Sequence, residues 1–89
     1  MNFDANWELK IEPDVYKQAK RFPPTDRERV FSAINSLSLD PYVGDIEKIG
    51  GESDVWRRRV GAYRVFFEVY QHSRKVNVFR VKRRGSNTY

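Results

Sequence analysis

Residues 55–84 constrain this chain more than any other stretch, because their apolar and basic side chains alternate with the period of two that a β-strand imposes. Val55–Val60 (VWRRRV) and Tyr63–Tyr70 (YRVFFEVY) are rich in Val, Phe, Tyr and Trp and flank Gly61-Ala62, which predicts a tight β-hairpin. A second turn at residues 71–74 leads into KVNVFRVKRR at 75–84, a third predicted strand. A two-residue loop at 61–62 pairs Val60 with Tyr63, Arg59 with Arg64 and Arg57 with Phe66. If Tyr70 likewise faces Lys75, unbroken alternation sets Arg64 opposite Val81, with Arg83 two residues further along.

Cross-strand partners share a face, so this register divides the sheet into two surfaces. One gathers Trp56, Val60, Tyr63, Val65, Phe67, Val69, Val76 and Val78, a predicted core. The other gathers Arg57, Arg59, Arg64 and Arg83, with Phe66, Phe79 and Tyr70 beside them. Strands about 4.8 Å apart would hold positions 59, 64 and 83 within about 10 Å. Like charges opposite one another destabilise a sheet, so the cluster is either a solvated basic face or a place where an anion docks. Arg58, Arg80 and Lys82 fall on the apolar side of this register. They must sit at its rim or snorkel outward, unless a bulge shifts the pairing.

The charge is split along the chain: residues 1–54 carry a net −4 and residues 55–89 a net +9. A basic half on a small domain points to nucleic acid, a membrane surface or an acidic protein. The basic residues follow strand rather than helix spacing, which argues against a membrane-surface helix. With 89 residues, one domain over 1–89 with a single core is expected. There is no cysteine and only one histidine, so neither a thiolate site nor a His-rich metal site is available. No apolar run reaches a transmembrane length and the N-terminus lacks a signal-peptide core, so a cytoplasmic location is expected.

Upstream, WELKI at residues 7–11 alternates and predicts a short strand. Pro13 suits a first helical turn, and Val15, Ala19 and Phe22 follow at helical spacing before Pro23-Pro24. Thr25-Asp26-Arg27-Glu28 has the form of a capping box. It introduces a second helix to about residue 38, with Val30, Phe31, Ile34 and Leu37 as its apolar stripe. The helix hairpin and the sheet each need the other's apolar face. The expected class is α+β, an N-terminal strand and αα-hairpin packed on a twisted antiparallel sheet. Asp40-Pro41 opens a loop, residues 45–49 suit a short strand, and Gly50-Gly51 is a turn.

This order of elements resembles the RelE/ParE toxin superfamily of toxin–antitoxin systems. The resemblance is carried by DPYVGDIEKIGGESDVWRRRVGAYRVFFEV at 40–69 and FRVKRRGSNTY at 79–89. These match the family's Lys-x-x-Gly, aromatic-basic-x-basic and Gly-x-Tyr-Arg run, then a basic strand end and a near-terminal Tyr. Tyr63-Arg64 after the glycine turn is the most diagnostic pair. The resemblance implies a RelE-like microbial RNase fold and an mRNA interferase: an endoribonuclease that cuts mRNA, in the ribosomal A site, and inhibits translation. It also implies mRNA, the ribosome and a cognate antitoxin as partners, and no cofactor. Carried over residue by residue, the basic sheet positions fall on Arg57 and Arg59, the Arg after Tyr on Arg64, the basic strand end on Arg83 and the terminal aromatic on Tyr89. Lys48, Lys82 and Arg84 join Arg57 and Arg59 as expected phosphate contacts. The ParE branch, which acts on gyrase, generally lacks the full basic-plus-Tyr set. A ParE-like gyrase inhibitor and a non-catalytic RNA-binding module are the alternative readings.

Cleavage by 2′-OH attack needs a base, a cation for the phosphorane and an acid for the 5′ oxygen. Arg64 and Arg83 suit the cation, since a guanidinium fork pairs with two phosphate oxygens. Arg57 and Arg59 stand where the best-known RelE pattern has lysines, and an arginine with a pKa above about 12 cannot surrender its proton. Tyr89, or an aligned substrate with solvent as acceptor, is left to fill that role. His72 lies in the turn away from the arginines, Glu68 is expected as a local counter-ion, and Glu52 and Asp54 as solvated loop acids. Trp7 and Trp56 are expected in or beside the core.

Overall fold

A computed structural model of the chain describes residues 6–50 and 54–85. Its elements are β1 (Glu8–Ile11), α1 (Pro13–Ala19), α2 (Pro24–Ser36), β2 (Ile46–Ile49), β3 (Val55–Val60), β4 (Tyr63–Tyr70) and β5 (Lys75–Arg83). The strands form one sheet in the order β1-β5-β4-β3-β2. β1 runs parallel to β5, while the other neighbours are antiparallel, so the α+β class holds with one parallel edge. Both helices lie on the same face. Val15 and Ala19 of α1 and Val30 and Ile34 of α2, with Leu37, are buried against Val65, Phe67, Val69, Val76 and Val78 of the sheet.

Proline decides where α2 begins. The helix starts at Pro24 with Pro23 as its N-cap, and no side chain caps it. Pro24 has a preset φ and no N–H to leave unpaired, so it suits the first helical position. Thr25 is therefore already inside the helix, and the expected capping box does not form. The β3–β4 hairpin has the expected pairing, Val60 with Tyr63, Arg59 with Arg64 and Arg57 with Phe66. Gly61 takes a φ of +58° at the first central position of its turn, a conformation that favours glycine.

The β4–β5 ladder departs from unbroken alternation. It begins as expected at Tyr70–Lys75 and continues to Phe67–Val78, but Phe66 pairs with Arg80. Phe79 is the extra residue of a β-bulge. Beyond it Val65 faces Val81, Arg64 faces Lys82 and Tyr63 faces Arg83. Three expectations are corrected. Val81 is fully buried rather than opposite Arg64 on the basic face. Arg80 and Lys82 lie on the open face rather than the apolar one. Arg83 shares a face with Tyr63, opposite to that of Arg57, Arg59 and Arg64. The physical reason is the spacing in the strand: Val81 follows Val78 by three positions, and an inserted residue lets both point inward while Arg80 stays in solvent.

Arg58 stays on the helix side, at the rim. Its guanidinium donates to Ser36 Oγ at 2.9 Å, and it lies against Gly44, where an added Cβ would stand 2.9 Å from Arg58 Nε. Gly44 also has a φ of +100°, and it is this left-handed backbone that favours glycine there, since the Arg58 side chain could move aside.

The bulge makes Val81 a core residue, so Val81→Ala should lower the unfolding free energy in urea by about 2 kcal/mol. Lys82→Ala, at an exposed position with no ion pair among the described residues, should change it by less than about 0.5 kcal/mol. Unbroken alternation requires Val81→Ala to be silent.

Candidate phosphate-binding face of the sheet

With both helices on one side, the opposite side of the sheet is left open, and the register arranges its side chains in rows across the strands. At one end the row is Arg59 of β3, Arg64 of β4 and Lys82 of β5. The next is Glu47 of β2, Arg57, Phe66 and Arg80. Phe66 and Phe79 then lie together with ring centroids 6.4 Å apart. Beyond them the character changes: the Asn77 amide donates to Glu12 at 2.8 Å and to Glu68 at 3.0 Å. Tyr70 follows, exposed at this end of the face. The face therefore runs from cationic through aromatic to mixed charge along the strand direction, with Lys10 and Lys75 beside Glu8 and Glu68 at the far end.

The cations are not equivalent. β2 brings two carboxylates to β3: Glu47 forms a hydrogen-bonded ion pair with Arg57, and Asp45 lies 3.9 Å from Arg59. Arg64, Arg80 and Lys82 make no ion pair among the described residues. Arg64 is half-buried, and its Nε is buried with no hydrogen-bond partner. A guanidinium fork suits the oxygens of a phosphate in charge and shape. The positive centre of the face thus lies at β4–β5.

The sequence-predicted residues are distributed accordingly. Arg57, Arg59, Arg64 and Lys82 come together on the open face. Arg83 is on the helix side of the same strand end, and Arg84 follows it, its backbone N–H donating to the Ala62 carbonyl at 2.6 Å. Lys48 pairs with Trp56 across β2–β3, on the face opposite to Glu47 and Arg57, and lies 3.9 Å from Asp54. His72 is exposed in the turn at the far end of the sheet. Trp7 is buried at the core edge, and Trp56 packs edge-on against Tyr42. Tyr89 and Glu52 lie outside the described residues. Arg80 was missed as a site residue, and the signal that reveals it is the three-residue spacing of Val78 and Val81. Asp45 and Glu47 were missed as partners of the arginines; their alternation at 45 and 47 was the available clue.

One contact ties this face to the helices. The Tyr63 hydroxyl donates to Asp26 Oδ2 at 2.8 Å, while its ring packs on Phe22 with centroids 4.3 Å apart. Burial raises the Tyr63 pKa above its usual value, and the hydrogen bond and charge of Asp26 raise it further against the opposing charge of Arg83. Among the described residues no helix is long and apolar enough to cross a membrane, and no group of His, Cys, Asp and Glu could hold a metal ion.

A helix hairpin on one face of a five-stranded sheet, with arginines and aromatics on the other, defines a small α+β protein with a basic, open sheet face. Residues 7–88 match the family described as the ParE toxin of type II toxin–antitoxin systems, parDE. The chain belongs to this family, within the RelE/ParE toxin superfamily. It is 28% identical over 79 residues to the RelE1 chain of Methanocaldococcus jannaschii, spanning 85% of this chain and 88% of that one. A chain of the archaeal RelE–RelB complex from Pyrococcus horikoshii superposes with a TM-score of 0.77 at 26% identity, covering 89% of this chain and 96% of its own. A chain of the RelB–RelE antitoxin–toxin complex from Methanococcus jannaschii gives 0.64 at 30% identity, covering 86% and 92%.

Because the folded state raises the Tyr63 pKa, its contribution to stability is complete below about pH 10 and is lost as the pH climbs through the folded value. The unfolding free energy should therefore fall above about pH 10. Tyr63→Phe should remove part of that slope while costing about 1 kcal/mol at neutral pH. Denaturant titrations of both proteins across alkaline pH check this.

Proposed function

We propose that this toxin is an endoribonuclease that cleaves mRNA, in the ribosomal A site, and so inhibits translation in the cytoplasm. A cognate antitoxin holds it in check, as the RelE–RelB complexes among its structural relatives indicate for those proteins. The observation that carries the reading is the group of Arg64, Lys82 and Arg80, cations on one face with no ion pair among the described residues, next to an aromatic pair. Phosphate oxygens pair with these cations, and Phe66 and Phe79 offer apolar surface to an unstacked base.

In this mechanism the 2′ oxygen attacks the adjacent phosphorus, forming a bond to it as the bond to the 5′ oxygen breaks. Arg64 stabilises the charge that builds on the non-bridging oxygens. Arg80 and Lys82 hold neighbouring phosphates, as do Arg57 and Arg59 when their carboxylate partners release them. Arg83 and Arg84 contribute from the end of the strand. Tyr89, which follows the basic strand end in sequence, serves as the acid/base group that an arginine cannot be.

Primer extension on mRNA after brief expression, with and without ribosomes, tests the reading: discrete cuts support it, and DNA damage with intact transcripts refutes it. Arg64→Ala should reduce cleavage at least about 100-fold. Arg57→Ala should cost less than about tenfold, because Glu47 already occupies that guanidinium. Tyr89→Phe should slow cleavage while leaving RNA binding unchanged; full activity in that variant removes Tyr89 from the chemistry.

A further inference from the structure

The basic surface does not end with the open face. β1 covers the outer edge of β5 only from Lys75 to Val78. From Phe79 to Arg83 that edge has no strand beside it among the described residues. α1 and the turn after it run alongside, leaving a groove of about 480 Å³. Gln18, Arg21 and Phe22 line it from the helix side, and Arg80, Lys82 and Arg83 from the strand. Asp14 is the one carboxylate on its wall.

The bulge creates this continuity. Arg80 and Lys82 stand beside Phe66 and Arg64 on the open face, yet both also line the groove, while Arg83 reaches it from the helix side of the strand. The groove therefore straddles the sheet edge, and a polyanion leaving Arg64 meets a cation at each step around it. Arg80 and Lys82 are two residues apart on the strand, about 6.8 Å, which suits successive phosphates of an extended single strand. Arg21 is exposed, at the far side of the groove. No side-chain hydrogen bond or ion pair occupies Arg21, Arg80 or Lys82 among the described residues. Phe22 is mostly buried under Tyr63 and supplies an apolar floor.

We propose that this groove is a second subsite for single-stranded RNA, in which Arg21 with Arg80 and Lys82 grips phosphates flanking the one held by Arg64. The proposal rests on the open face being the RNA-binding face. It adds residues of α1's end to that surface and gives RNA a path around the sheet edge rather than straight across the sheet. Each phosphate contact of this kind contributes about −0.7 to the slope of log affinity against log salt.

Two fluorescent 2′-O-methyl oligoribonucleotides, which cannot be cleaved, separate the subsites: a trinucleotide too short to span both, and a nonanucleotide. Their affinities are measured by anisotropy over a series of salt concentrations for the full chain and for Arg21→Gln and Lys17→Gln, the latter a cation on α1 outside the groove. Arg21→Gln should weaken nonanucleotide binding several-fold and flatten its salt slope by about 0.7, with a much smaller effect on the trinucleotide. Lys17→Gln should leave both oligonucleotides unaffected. Equal losses in the two variants, or an unchanged slope in Arg21→Gln, overturn the subsite while the open-face reading stands if Arg64→Ala still abolishes trinucleotide binding. Failure of the unmodified chain to bind either oligonucleotide overturns both readings. An oligoglutamate peptide whose binding needs Arg21, beside an RNA titration that does not, overturns the proposal in favour of a protein ligand.

Discussion

The bulge at Phe79 settles a conflict between two costs. With strict alternation beyond Val78, Val81 would turn to water and Arg80 would turn into the helix layer. The first forfeits about 1.5–3 kcal/mol of apolar burial, and the second desolvates a guanidinium with nothing to pair it. One unpaired residue in the ladder avoids both, at the loss of local strand pairing. Val81 then completes the wall of valines under α1 and α2, and Arg80 and Lys82 emerge beside Phe66 and Arg64. The cationic cluster at β4–β5 is in this sense built by the requirements of the core.

Repulsion sets the second constraint. Arg59, Arg64 and Lys82 stand in one row across three neighbouring strands, an arrangement a sheet resists. The edge strand β2 answers part of it by laying Asp45 and Glu47 against the β3 arginines. Such exposed pairs add little stability; their consequence is spatial. They offset the charge at β3 and leave the unpaired cations at this end of the open face, among the described residues, on β4 and β5, a strip two strands wide. At the other end of the same strands Glu12 and Glu68 share the Asn77 amide, and with Glu8 they offset Lys10 and Lys75, so the net positive charge is concentrated at the opposite end.

Much of this was legible in the sequence. The hairpin around Gly61-Ala62, the helix stripes through Val30 and Ile34, and the α+β pairing of two apolar faces follow from period and turn chemistry. What escaped were choices made by competition between remote groups. The bulge depends on Val81 finding room beneath helices that lie some fifty residues earlier in the chain. The start of α2 at Pro24 turned on proline geometry outweighing a side-chain cap. The pairing of Glu47 with Arg57 depends on β2 joining the sheet edge in one particular register, which four residues of alternating character do not specify.

Tyr63 and Arg64 show why adjacent residues on a hairpin are an effective way to join a core to a site. Alternation sends them to opposite faces. Tyr63 is held by Asp26 at the start of α2 and by the ring of Phe22, while Arg64 faces the open side between Arg59 and Lys82. Fixing the backbone at Tyr63 fixes the origin of the Arg64 side chain one residue away. A guanidinium stabilises developing charge best when it is positioned before the charge appears, because it then pays no reorganisation during the reaction. A loop-borne arginine would have to be ordered by the substrate. Here the helix layer does that work from the far side of the sheet, which leaves the open face free of helix.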